Sequence, residues 1–219
     1  MMRIPCFLLI LPILRFSLSE NIENRRPFEE DDLYFCYQNA TDAVGISGKI
    51  YVKIQNFIDP ARPPPLCDSA ERVGKINDTH YNFTLAAEIP QAPNITVKFN
   101  TSLVLSKTGN HSIYNAMTYK YTLLEPPKLR KLMYLSPDLD CMIFVDDRNS
   151  TDQAKCQLLQ PANYINNNTP TECQRVYEQN CQGENVTVYY PKCQNLPEVT
   201  VLDLLRKLNS TTTAAPEQC

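Results

Sequence analysis

The chain has 219 residues, 43% of them apolar, with no Trp, five Gly, two His and nine Cys. Length and apolar content supply a core for one sizeable domain and argue against disorder. So few glycines exclude a phosphate loop or dinucleotide fold, two His leave little for acid–base or metal chemistry, and a formal charge of −3 argues against nucleic acid or an anionic membrane as partner.

Arg3, the apolar run Ile4 to Leu14, and the small residues Ser17 and Ser19 predict a secretory signal over residues 1–19. The run is too short to span a bilayer. Removing it leaves 19 basic and 24 acidic side chains, a net charge of −5, and eight cysteines. An even cysteine count in an oxidising compartment predicts disulfides. Zinc is the alternative for such residues, but no C-x-x-C pair occurs.

Glu20 to Phe28 read as a loose charged segment. Leu33, Cys36, Tyr37 and Ala40 fall at i, i+3, i+4 and i+7, the stripe of a short helix. Lys49 to Phe57 alternates as a strand, and Pro60 with Pro63, Pro64 and Pro65 predicts a rigid loop ending at Cys67. Strands are expected next over Arg72–Asn77, Tyr81–Ile89, Ile95–Leu103, Met117–Leu123, Leu132–Leu135, Cys141–Val145 and Lys155–Leu159. About eight short strands with turn residues between them predict an antiparallel sandwich or barrel. A helix opens at Thr169 and Pro170, with Glu172 completing a capping box and Gly183 able to end it. Val186 to Tyr190 reads as one more strand, and Val201, Leu204, Leu205 and Leu208 mark a last amphipathic helix.

Composition predicts about two Asn-x-Ser/Thr triplets by chance, and the chain has ten: Asn39, Asn77, Asn82, Asn94, Asn100, Asn110, Asn149, Asn167, Asn185 and Asn209. Each is expected at the surface of a secreted glycoprotein.

The second half is marked by Asp140-Cys141-Met142-Ile143-Phe144-Val145, Cys156-Gln157-Leu158-Leu159, Pro170-Thr171-Glu172-Cys173, Cys181 and Val188-Tyr189-Tyr190-Pro191-Lys192-Cys193. Upstream stand Gly48-Lys49-Ile50-Tyr51-Val52, Asp59-Pro60 and Cys67. Over roughly residues 30 to 193 this ordered set resembles the tick salivary lipocalins, the family of the tick histamine-binding proteins. The resemblance implies a mainly β fold, an eight-stranded antiparallel barrel with a short N-terminal helix and C-terminal helices. The domain would run over residues 20–195, with 196–219 a helix and Ser/Thr-rich tail. It also implies disulfides Cys67–Cys193, Cys141–Cys173 and Cys156–Cys181, leaving Cys36 and Cys219 as the remaining pair. Members are secreted and sequester host mediators such as histamine, serotonin or leukotrienes, and some bind host proteins such as complement components.

Amine-binding members carry an acidic residue just after the first cysteine of this region, then Glu-Leu-Trp or Glu-Leu-Tyr on the next strand. Here those positions are Met142, Gln157 and Leu159. A protonated amine in the barrel needs a carboxylate, because an unpaired buried charge is costly. Met142, Phe144, Gln157 and Leu159 therefore describe an apolar wall with one amide, and Tyr51, Tyr119 and Tyr121 are candidate hydroxyls. That set favours a lipid such as a leukotriene or fatty acid over histamine. The same residues also read as packing in a filled barrel, whose loops would bind a host protein; ten glycans mildly disfavour that. Glu88 and Glu125 remain as acids able to enter the cavity, although they read more simply as rim residues. His80 and His111 read as exposed loop residues, and Asp146-Asp147-Arg148 as a turn. The expectation is a secreted monomer and no enzyme, with no cofactor and no metal.

Overall fold

Period-two alternation from residue 49 onward builds strands that pair sequentially and return to the first. The computed structural model describes residues 26–58, 64–149 and 152–212; the expected signal segment, the first part of the proline loop up to Pro63, and Cys219 lie outside them. Eight strands follow: β1 (Lys49–Gln55), β2 (Leu66–Lys75), β3 (His80–Ile89), β4 (Ala92–Ser106), β5 (Ala116–Tyr119), β6 (Lys128–Leu135), β7 (Met142–Asp146) and β8 (Cys156–Pro161). Each pairs antiparallel with the next, β4 pairs with β5, and β8 returns to β1, closing an eight-stranded barrel. Closure leaves no free edge within this set.

The inward faces supply Ile50, Val52, Tyr81, Phe83, Leu103, Leu105, Met117, Leu132, Met142, Phe144 and Leu159, one contiguous apolar cluster. A short helix α1 (Ala40–Gly45) adds Ala40, Ala43 and Val44 to it and stops one end of the barrel. Asn39 caps α1 by accepting the Thr41 amide at 3.0 Å. Strands β6 to β8 are apolar on both faces. Their outer residues Met133, Tyr134, Ile143, Val145 and Leu158 pack under α2 (Thr171–Asn180), which contributes Cys173, Val176 and Tyr177.

Three disulfides fasten this packing: Cys67–Cys193, Cys141–Cys173 and Cys156–Cys181, the same pairs that the resemblance implies. Cys36 is exposed and unpaired among the described residues, and its expected partner Cys219 lies outside them. The first bridge closes a span of 126 residues between β2 and the turn Pro191–Gln194. Replacing Cys67 and Cys193 together with Ser is expected to cost about 2–5 kcal/mol. Thermal melts would then fall by roughly 5–20 °C; an unchanged melting temperature would show that the bridge adds nothing to the folded barrel.

Several local expectations change. The stripe expected over 33–40 is instead a 3₁₀ turn, Asp32–Tyr37, followed by α1, and Leu33 is exposed. The capping box at Thr169 does not form: Pro170 occupies the cap position without a side-chain bond, and Glu172 pairs with Arg175 at 2.9 Å. β2 begins six residues earlier than expected, while the strand expected over 186–190 shrinks to β9 (Val186–Thr187). A short strand that the sequence did not signal, β10 (Glu198–Thr200), runs parallel to β4 and holds Lys49 and Lys98 through Glu198 before α3 (Val201–Thr212).

His111 is the largest correction. It is buried, stacked on Phe35 at 3.6 Å, with Nε2 at 2.7 Å from Gln38 Oε1 and Nδ1 at 2.9 Å from the Thr108 carbonyl. The N-terminal segment causes this burial. Gln38 donates to the Phe28 and Met133 carbonyls, Glu30 pairs with Lys131, and buried Glu29 pairs with Arg148. The chain docks on the barrel from Phe28 onward, and most of the segment expected to be loose, residues 20–25, lies outside the described residues.

Candidate functional site

Opposite α1, the barrel ends in the loops after β1, β3, β5 and β7, and its interior changes from apolar to polar. The apolar part is a cavity lined by Ala43, Val44, Ile50, Ala70, Phe83, Leu85, Leu103, Met117, Tyr119, Met142, Phe144 and Leu159. It offers about 50 Å³ to the centres of water-sized spheres, room for roughly three to five waters.

Above this cavity Arg130 crosses the lumen from the start of β6. Its side chain is almost fully buried. Nη1 donates to Gln157 Oε1 at 2.7 Å and to the Tyr119 hydroxyl at 3.3 Å, Nη2 to the Phe144 carbonyl at 3.4 Å. Nε lies 3.2 Å from Asp146 Oδ1, an ion pair without hydrogen-bond alignment. The guanidinium also stacks over the Tyr121 ring at 4.9 Å, and Tyr121 donates its hydroxyl proton to Asp146 at 3.0 Å. Gln157 passes the network on by donating to Gln55 Oε1 at 3.0 Å. A buried guanidinium with so many acceptors is well compensated.

Asp68 is the group left over. Ile50 pairs with Ala70 and both line the cavity, whereas Tyr51 pairs with Ser69 and faces outward. Alternation then turns Asp68 inward, on the same side as Ala70. A local irregularity sets this up. Cys67 adopts φ +56°, the ladder shifts register between Leu66 and Ser69, and the Cys193 bridge with the Val188 carbonyl holds Cys67 outside. A left-handed non-glycine residue costs about 1–2 kcal/mol, which these two attachments offset. Desolvation pushes the Asp68 carboxyl up to about 7, only partly opposed by the Arg130 charge. Among the described residues Asp68 has no hydrogen-bond partner. It is a half-buried acid on the lumen face. Tyr119, which accepts from Arg130 and feels the charge of Asp68, has its hydroxyl pKa raised mainly by burial.

The structure places the sequence-derived candidates as follows. Met142, Phe144, Leu159 and Tyr119 line the cavity, and Gln157 and Tyr121 belong to the polar layer above it. Tyr51 lies on the outer face, edge-on to Tyr189 at 5.2 Å, and takes no part in the lumen. Glu88 is held outside the lumen by the Asn94 amide at 2.8 Å and by Lys192, which keep its carboxyl below the usual range. Glu125 pairs with Lys128 at 2.9 Å in the loop after β5. Asp68 and Arg130 escape the sequence reading because the proline loop reads as running to Cys67, with no strand before Arg72, and the apolar part of β6 opens only at Leu132. The available signal is Cys67 itself: once it is fixed outward, the next residue turns in.

A family model described as tick histamine binding protein matches residues 28–195. The chain belongs to this family. It is therefore a lipocalin with a small-molecule-binding barrel, a non-catalytic binding protein. Among curated proteins no significant match is found. Among solved structures it is similar to AM182 in complex with serotonin, at 12% identity and TM-score 0.53, covering 72% of this chain and 94% of that one. It is also similar to insecticyanin of the tobacco hornworm Manduca sexta, at 10% identity and TM-score 0.53, covering 81% and 92%. At these identities the two structures establish the shared fold.

Proposed function

We propose that this secreted tick-family lipocalin sequesters a small protonated amine of the host, with Asp68 as counter-charge and the cavity around Phe144 and Tyr119 as the seat for its apolar body, and so suppresses the host inflammatory response. The observation that carries the reading is Asp68, a carboxyl on the lumen face with no hydrogen-bond partner among the described residues. The sequence argument for a lipid rests on Met142, Gln157 and Leu159, where amine binders keep charge and an aromatic ring. Asp68 supplies a carboxylate from another strand, which answers the missing charge. Arg130 is already balanced by Asp146, so an anionic head would have to displace that pair and approach Asp68 as well. Cavity size agrees, since space on this scale suits a compact ring-bearing amine better than a twenty-carbon chain. The solved serotonin complex of a similarly folded protein is in keeping with this class.

The apolar cavity wall supports a second reading, a lipid mediator that enters by displacing side chains. Calorimetric titration of the secreted protein at pH 8 separates the two. Serotonin or histamine should bind at submicromolar Kd and a leukotriene or fatty acid much more weakly. The reverse order would restore the lipid reading, and no binding of either would favour a protein partner on a filled barrel.

A further inference from the structure

We infer that an N-linked glycan on Asn100 lies in the groove between β4 and α3 and fixes the C-terminal helix to the barrel; the inference rests on the secreted reading above. Outside the barrel, Thr84, Lys98, Asn100, Thr200, Val201 and Leu202 border a surface groove of about 470 Å³. It exists because β10 pairs with β4 only as far as Thr200 opposite Lys98, after which the chain leaves the sheet as α3. Asn100 is the next outward residue of β4, exposed at the point where the edge is abandoned. Its Oδ1 accepts the Thr84 hydroxyl at 2.7 Å. Among the described residues its Nδ2, the atom that takes the sugar, donates to none. The side chain is thereby oriented with its reactive nitrogen free.

Two further features fit a sugar. The walls mix hydroxyl, amide and ammonium groups with the apolar Val201 and with Leu202, which is 56% exposed. A pyranose presents hydroxyl edges and apolar C–H faces, so a mixed wall suits it better than a wholly apolar groove would. Across the ladder Asn82 faces Ser102 and Thr84 faces Asn100, so the triplets Asn82-Phe83-Thr84 and Asn100-Thr101-Ser102 lie interleaved on one outward face. Only Asn100 borders the groove, which makes Asn82 a built-in control.

The full chain secreted from eukaryotic cells tests this by glycopeptide mass spectrometry and hydrogen exchange over residues 201–212. Asn100 should be occupied, and its glycan should be released from the folded protein at least tenfold more slowly than that of Asn82 by endoglycosidase. Ser102→Ala removes the triplet but leaves Asn100 and its bond to Thr84; it should speed exchange of α3 amides about tenfold, whereas Asn82→Gln should leave them unchanged. A bare Asn100 in a chain glycosylated elsewhere would overturn the inference while leaving secretion intact. Equal release rates, or α3 exchange in Ser102→Ala equal to that of the parent, would overturn it too.

Discussion

Asp68→Asn is expected to weaken amine binding at least about 30-fold, because removing one partner of a desolvated charge pair costs about 2–5 kcal/mol. The substitution keeps size and leaves the Arg130 network untouched, so a loss of this scale would report charge alone. The pH dependence gives the second signature. An ammonium ligand binds the ionised carboxylate, and desolvation holds this carboxyl at about 7 rather than at its ordinary 3.8. Affinity should therefore be full above pH 7 and fall toward tenfold per unit below it, and the Asp68→Asn variant should lose this slope. Ligand-free stability runs the opposite way. The folded state holds the proton more tightly than the unfolded one, so stability is highest below pH 4 as far as this group is concerned and declines as pH rises through 7. The same variant should remove that decline as well. Calorimetry at pH 5, 6, 7 and 8 on both proteins reads the binding. A pH-independent affinity equal in parent and variant would remove Asp68 from the site.

Much of the barrel is legible in the sequence because strand alternation and closure are local properties repeated eight times. Tyr81 to Ile89 and Ile95 to Leu103 alternate in sequence because one face fills the lumen, while the outer face is partly exposed, as at Asn82, Asn100 and Ser102, and partly covered, as at Ala86, Glu88 and Thr96. Strands β6 and β7 are harder to read, since α2 buries their outer faces and the alternation fades into continuous apolar runs. Cavity residues such as Met142, Phe144 and Leu159 follow from alternation once the inward side is known. The charges do not. Asp68 sits just past a proline-rich stretch and is oriented by the left-handed Cys67, whose effect depends on a bridge to a residue 126 positions away. Arg130 precedes the apolar part of β6 and looks like a solvated strand end; its acceptors come from β5, β7 and β8. His111 escapes the sequence for the same reason, because the groups that bury it, Phe35 and Gln38, lie more than seventy residues earlier.

Arg130→Met should be the most destabilising single change in the lumen and also the one that best separates cationic from anionic ligands. Methionine retains much of the apolar stem while deleting the charge that faces Asp146, Gln157, Tyr119 and the Phe144 carbonyl. Breaking one side of a buried pair typically costs about 3–5 kcal/mol. Asp146 keeps some contact with water, so the low end, about 3 kcal/mol, is expected, or a melting temperature lower by roughly 6–12 °C. Lysine should not restore it, since one ammonium cannot replace a planar fork spanning three strands. The binding consequence has opposite signs for the two ligand classes. An ammonium near Asp68 is repelled by the guanidinium, so its affinity should rise or hold in the Arg130→Met variant. A lipid carboxylate has no other buried cation in the described lumen to meet and should lose nearly all binding. Loss of amine binding in a folded Arg130→Met protein, with Tyr119 and Phe144 still ordered, would show that Arg130 itself takes the ligand and would overturn the assignment to Asp68.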